Sequence, residues 1–263
     1  MTPPESPKPE SPPPESPKPE SPKPESPKPE SPPPDTPPRQ LPLGLPLPVA
    51  HGRADFFVSP ANARALAMID RWPDWPQGKL ILTGPAGAGK THLLHLWAER
   101  TGAPLHPARA LSTCAPDDWA GRSAHLAVED CDTIARDPRA EAALFHLHNL
   151  ITAQGGTLIL SARTAPARWD VALPDLASRL QAIATVALAE PDDALLQAVL
   201  VKLFADRQLT VSPQLIAYLL ARMERSLGAA RALVDALDRH AIAARRPVTR
   251  KLAAEVLDAG PPA

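Results

Sequence analysis

Eight consecutive residues, Gly84-Pro85-Ala86-Gly87-Ala88-Gly89-Lys90-Thr91, carry the most specific chemistry in the sequence. Glycines at 84 and 89 let the backbone turn with its N–H groups facing inward, cradling an anion where a new helix begins. Lys90 then reaches the β- and γ-phosphates of a nucleotide, and the Thr91 hydroxyl is offered to its Mg²⁺. The apolar run Leu80-Ile81-Leu82-Thr83 before the loop and the helix-like stretch 92–100 after it supply the strand and helix that this mechanism needs. A glycine-rich turn that merely contained Lys-Thr would not come with both.

A second set of groups falls at the ends of two further apolar runs. Ala124-His125-Leu126-Ala127-Val128 ends in Glu129 and Asp130. In a parallel sheet the carboxyl ends of the strands share one crevice, so these acids face the loop. One would hold Mg²⁺ through water and the next would orient an attacking water. Thr157-Leu158-Ile159-Leu160 ends in Ser161, whose hydroxyl is expected to point at the γ-phosphate. Asp132 reads as surface.

The elements that must position these groups alternate short apolar strands with helices. That pattern implies an α/β fold, a parallel sheet covered by helices on both faces. Ser59 with Pro60 at the first helical position predicts a helix carrying Leu66 and Ile69. A long helix is expected from 139 to 154, stopped by Gly155-Gly156, and a last strand near 184–188. From Glu190 onward the periodicity is helical only. Apolar positions such as Leu195, Val199 and Leu203 mark a small all-α subdomain, with Ser226 opening its third helix and a short helix near 251–257 closing it.

Composition bounds the rest. The chain has 263 residues, 28 basic against 29 acidic, so no strong field draws it to nucleic acid. Cys114 and Cys131 make no disulfide framework or zinc module, and no run reaches membrane-spanning length. A cytoplasmic protein is expected. Residues 5–34 are six copies of Glu-Ser-Pro-Lys-Pro or Glu-Ser-Pro-Pro-Pro. They contain no apolar side chain larger than proline, so an extended, solvated tail is expected over 1–38. Charge then disappears over residues 39–52, where Gln40, Leu41, Leu43, Leu45 and Leu47 alternate with small or rigid residues. Such a segment can lay leucines into a groove at low entropic cost; on its own pattern it reads better as the apolar end of a proline-rich linker. The nucleotide-binding domain is expected over 53–189 and the helical subdomain over 190–259.

The ordered set of phosphate loop, paired acids, Ser161, Ser178-Arg179-Leu180 and Gly228-x-x-Arg231 resembles the AAA+ ATPases, more closely the DnaA replication-initiator family, and within it the Hda-like regulators. The resemblance runs from about Gln40 to Leu257, with Leu173-Pro174-Asp175-Leu176-Ala177-Ser178-Arg179-Leu180 the closest segment. It implies that Arg179 is an arginine finger acting in a neighbouring subunit. It makes Arg231 the lid arginine that contacts phosphates in its own subunit and Ser161 the strand-end sensor. Phe57 and Val58, with Asn62, would line an adenine pocket, and the bound ligand would be ADP or ATP with Mg²⁺. The leucine-rich peptide at Gln40 resembles a docking motif for the DNA polymerase sliding clamp. The expected partners are therefore the clamp and the DnaA initiator, with self-association open and no sequence-specific DNA binding. The expected function is stimulation of ATP hydrolysis on DnaA; an ATPase acting for itself is the alternative. Glu129 stands where the family has aspartate, and its longer side chain implies weak hydrolysis in this protein's own site.

Overall fold

A computed structural model of the protein describes residues 56–259. The proline-rich repeats, the clamp-like peptide with Gln40, Leu41, Leu43, Leu45 and Leu47, and the boundary at 53 lie outside the described residues. Five strands, β1 (Lys79–Thr83), β2 (Leu105–Pro107), β3 (His125–Glu129), β4 (Thr157–Ala162) and β5 (Thr185–Ala187), form one parallel sheet in the order β2-β3-β4-β1-β5. Around it run α1 (Ala63–Asp70), α2 (Lys90–Thr101), α3 (Pro116–Ala120), α4 (Pro138–Ala153) and α5 (Pro174–Gln181). The chain continues as α6 (Asp193–Asp206), α7 (Pro213–Leu220), α8 (Leu227–Ala244) and α9 (Arg250–Asp258).

The alternation of side chains along the strands explains the layers. Leu80, Leu82, Ala127 and Ile159 face Leu66 and Ile69 of α1 and Leu93 and Trp97 of α2. Ile81, Leu126, Val128, Leu158 and Leu160 face Leu144, Leu147 and Ile151 of α4 and Leu176 and Leu180 of α5. With both faces covered, the central strands need no polar side and read as continuous apolar runs. The four C-terminal helices have a separate core, centred on Leu200, Phe204, Leu219, Val234, Leu237 and Leu252. Among the described residues no helix is long and apolar enough to cross a membrane.

Two local expectations change. The first helix does not begin at Pro60. Residues 60–62 form a turn in which the Ser59 carbonyl accepts from the N–H groups of Asn62 and Ala63, and α1 starts at Ala63. Asn62 is spent on that turn: its Oδ1 accepts from Ser59 N at 2.9 Å and its Nδ2 donates to Phe57 O at 2.8 Å. Leu195, Val199 and Leu203 are also not the row that contributes most to the helical core, although Leu203 packs against it. Leu196, Leu200 and Phe204, one residue further on, form that row, and the first set turns to the cavity described below.

One buried carboxylate fixes α5 in place. Glu141, 1% exposed on α4, accepts from the N–H groups of Arg136 and Ala172 through Oε1, at 2.8 and 3.0 Å. Its Oε2 accepts from Leu173 N at 2.8 Å, at the residue that precedes α5. A buried donor left without an acceptor costs about 1–3 kcal/mol. Glu141→Ala, which strands three, should lower the unfolding free energy in urea by about 3 kcal/mol or more, and Glu141→Gln, which keeps one oxygen, by less.

Candidate nucleotide site

At the carboxyl end of β1 the chain leaves the sheet at Gly84 and re-enters regular structure at Lys90, the first residue of α2. Gly87 (φ +72°) and Gly89 (φ +102°) take backbone angles that side chains disfavour. Gly87 also has no room: a Cβ there would lie 2.3 Å from that of Ser226, at the start of α8. Among the described residues the amides of Gly87 and Gly89 have no hydrogen-bond acceptor, whereas the loop's carbonyls are engaged. Lys90 Nζ donates to Gly84 O at 2.7 Å and Pro85 O at 2.9 Å, and Leu227 N donates to Gly87 O at 2.9 Å. Burial lowers the Lys90 pKa, while the nearby Asp130 and Asp132 carboxylates oppose that shift.

The loop opens on a cavity of about 600 Å³ bounded by the sheet edge on one side and by α6 and α8 on the other. Ala86, Gly87, Gly89, Lys90 and Thr91 line it, together with Phe57, Asn62, Asp130, Leu227, Gly228 and Arg231. Gly84, Pro85 and Ala88 frame the loop without lining the space. Arg231 lies one turn into α8, and its buried Nε has no hydrogen-bond partner among the described residues. A guanidinium nitrogen withdrawn from water and left unpaired is costly, and it lines the same cavity as unpaired loop amides. Phe57, 40% exposed, stands at the rim; Val58, 57% exposed, does not line the cavity.

The strand-end groups are arranged differently from the expectation. Asp130 lines the cavity and Glu129 does not, because Glu129 is the last residue within β3 and the left-handed backbone of Asp130 (φ 54°) turns the chain there. Ser161 is 1% exposed, and its Oγ accepts from Asp130 N at 3.1 Å, so the hydroxyl holds that acidic turn and does not line the cavity. The β4 residue position that reaches the cavity is Arg163, just beyond the strand. Its N–H is held by Asp132 Oδ2 at 3.1 Å. Asp132 is therefore not a surface residue; its second oxygen is buried without a partner among the described residues.

Arg163 and the α6 residues Lys202, Asp206 and Arg207 line the cavity and were missed by sequence reasoning, as was Asp132, which holds Arg163 without lining it. No strand periodicity signals Arg163, which lies just beyond β4, while Ser161, two residues earlier, does not line the cavity. Arg179 is not part of this cavity. It is exposed in the last turn of α5, its guanidinium carbon 5.3 Å from the centre of the Phe145 ring.

The strand order, the phosphate loop after the first strand and the helical C-terminal part define the AAA+ α/β fold. Within that class the structure is similar to domain III of the Thermotoga maritima replication initiation protein DnaA, with a TM-score of 0.69 and 16% identity, covering 83% of this chain and all of that one. AMPPCP-bound DnaA from Aquifex aeolicus matches at TM-score 0.59 and 17% identity, over 68% of this chain and 62% of that chain. The FIGL-1 AAA domain in complex with ADP matches at 0.53 and 14%, over 70% of this chain and 72% of that one. These likenesses show that the chain has the fold of DnaA domain III and of other AAA+ domains. An uncharacterized protein of Haemophilus influenzae is 28% identical over 194 residues, 70% of this chain and 84% of that protein. No family model matches the sequence.

The contact between the loop and α8 is open to a direct check. Gly87→Ala should lower stability in urea or thermal unfolding by about 1–3 kcal/mol through overpacking against Ser226. Pairing it with Ser226→Gly, which removes the opposing Cβ, should recover part of that loss, and strictly additive losses would show that the two positions do not meet.

Proposed function

We propose that the protein is a nucleotide-binding AAA+ regulator that docks on the sliding clamp through the peptide at Gln40 and inserts Arg179 beside ATP held by the DnaA initiator. Hydrolysis would take place in the partner's site and convert DnaA to its ADP form. The observation that carries this reading is the separation of Arg179 from the cavity of its own subunit. It is an exposed cation at the end of a helix whose start is fixed by the buried Glu141, facing outward. A fixed guanidinium delivered to a transferring phosphoryl group is worth roughly a thousandfold to a hundred-thousandfold in rate.

In its own cavity the protein would hold ADP or ATP. The free amides of Gly87 and Gly89 take phosphate oxygens, and Lys90 leaves the loop carbonyls for the β-phosphate. Arg231 gains a partner for its buried Nε, and Phe57 offers a ring at the base end. Thr91 and Asp130 are the groups placed to meet Mg²⁺, which would neutralise phosphate charge. The solved relatives in complex with AMPPCP and ADP support this ligand class. Asp130 within the cavity favours a second reading, an ATPase that turns over in its own site.

One assay separates the two. With purified DnaA, clamp-loaded DNA and ADP, the protein should accelerate hydrolysis of DnaA-bound ATP, and Arg179→Ala should lose at least a hundredfold of that acceleration. Lys90→Ala should abolish nucleotide binding to the protein itself. Turnover by the protein alone, unaffected by Arg179→Ala and lost with Asp130→Ala, would move the second reading to the front.

A further inference from the structure

Behind Arg179 lies a second cation that the cavity does not use. Lys79, the first residue of β1, is 1% exposed. Its Nζ donates to Thr152 Oγ1 at 2.8 Å and to Gln77 O at 3.3 Å, both neutral acceptors. Among the described residues no carboxylate pairs with it. Burying an ammonium without a counterion costs several kcal/mol even after relaxation. The last turn of α4, where Thr152 sits, offers about half a unit of negative charge, which is not a full counterion.

The spacing along α4 relates Lys79 to Arg179. Thr152 holds Lys79 and Phe145 lies under Arg179, seven residues or two turns apart on one face, about 10 Å along the helix. Between them is His148, 5% exposed, with its Nδ1 buried and unpaired among the described residues. Burial, then the charge of Lys79, lowers the His148 pKa to about 4, so the ring is neutral near pH 7. The cations here are Lys79 and Arg179. The carboxylates on the same two helices are Glu141, one turn before Phe145 and taken up by three backbone amides, and Asp175, one turn before Arg179; neither forms an ion pair with Lys79 or Arg179 among the described residues. Lys79 is buried whereas Arg179 is exposed, so water screens their interaction only in part. Arg179 in turn helps lower the Lys79 pKa, after burial.

We propose that Lys79 is a positioning residue for the arginine finger: its buried charge draws the anionic γ-phosphate of a nucleotide held by a neighbouring AAA+ subunit onto Arg179. The proposal rests on the reading of Arg179 given above. It predicts a pattern that a merely structural lysine would not give, because neutralising an unpaired buried charge should not destabilise the fold.

The test uses the full chain in the DnaA assay with the variants Lys79→Met, Lys79→Gln and Lys79→Arg. The two neutral variants should unfold at the same or a higher urea concentration. Their maximal rate of hydrolysis of DnaA-bound ATP should fall about three- to tenfold, the size of one charge acting across a partly shielded 10 Å, with the half-saturating concentration unchanged. Lys79→Arg should retain most of the rate. A full rate in both neutral variants, with Arg179→Ala inactive, overturns the role of Lys79 and leaves the finger standing. Rate and stability falling together would make Lys79 structural and also overturn it. Full activity of Arg179→Ala would remove the reading on which the proposal rests.

Discussion

A loop that binds phosphate through its backbone must keep amide groups free of protein partners and still hold one shape. Here the shape is held through the other half of each peptide. The carbonyls of Gly84 and Pro85 are taken by Lys90, that of Gly87 by the amide of Leu227, and the amides of Gly87 and Gly89 are left for a ligand. Free amides at the head of α2 add to the positive end of that helix. Much of the molecule follows from this arrangement. The central strands are buried on both faces, which gives β1 a fixed end from which to present the loop, and α8 packs against Gly87, where the Leu227 amide holds the loop's carbonyl.

The same contact joins the two cores. Ser226 caps α8 by accepting from Ala229 N at 2.9 Å, and the next residue, Leu227, gives its amide to the loop. Arg231 follows one turn later with its unpaired nitrogen in the cavity. A phosphate bound by the loop and by Arg231 would therefore bridge the sheet and the helical part. Binding energy would be converted directly into the angle between them, which is a differential interaction of the kind that a ligand-dependent conformational change requires.

How much of this could be read in advance depended on the range of the forces involved. The loop, the strands of the sheet and the long α4 were legible because their signals are local: a glycine spacing, apolar runs, and the glycine pair 155–156 that stops the helix. The acids and Ser161 were found by type and place, yet their individual orientations were not. The left-handed turn at Asp130 exchanges the two acids, and the Ser161 hydroxyl is absorbed by the backbone of that turn. On α6 two rows of apolar residues, 195-199-203 and 196-200-204, have the same helical spacing. Which row builds the core and which lines the cavity is set by how the helix docks, and periodicity carries no information about that.

The polarity of a parallel sheet also separates the two chemistries of the molecule. All carboxyl ends of the strands lie on one edge, with the loop, Asp130 and Arg163. Lys79 opens β1 on the opposite edge, and Arg179 lies in the helix that leads back into β5. One edge gathers the groups suited to phosphate, and on the other Lys79 and Arg179 form no ion pair among the described residues. Neither can serve the other within one subunit, since the length of the strands lies between them. Complementary surfaces on opposite sides of a subunit associate head to tail and not as a two-fold pair. On the proposed reading, the phosphate of a neighbouring subunit's nucleotide, held at Arg179, would offset part of the cost of the buried Lys79 charge, which pairs with no carboxylate among the described residues.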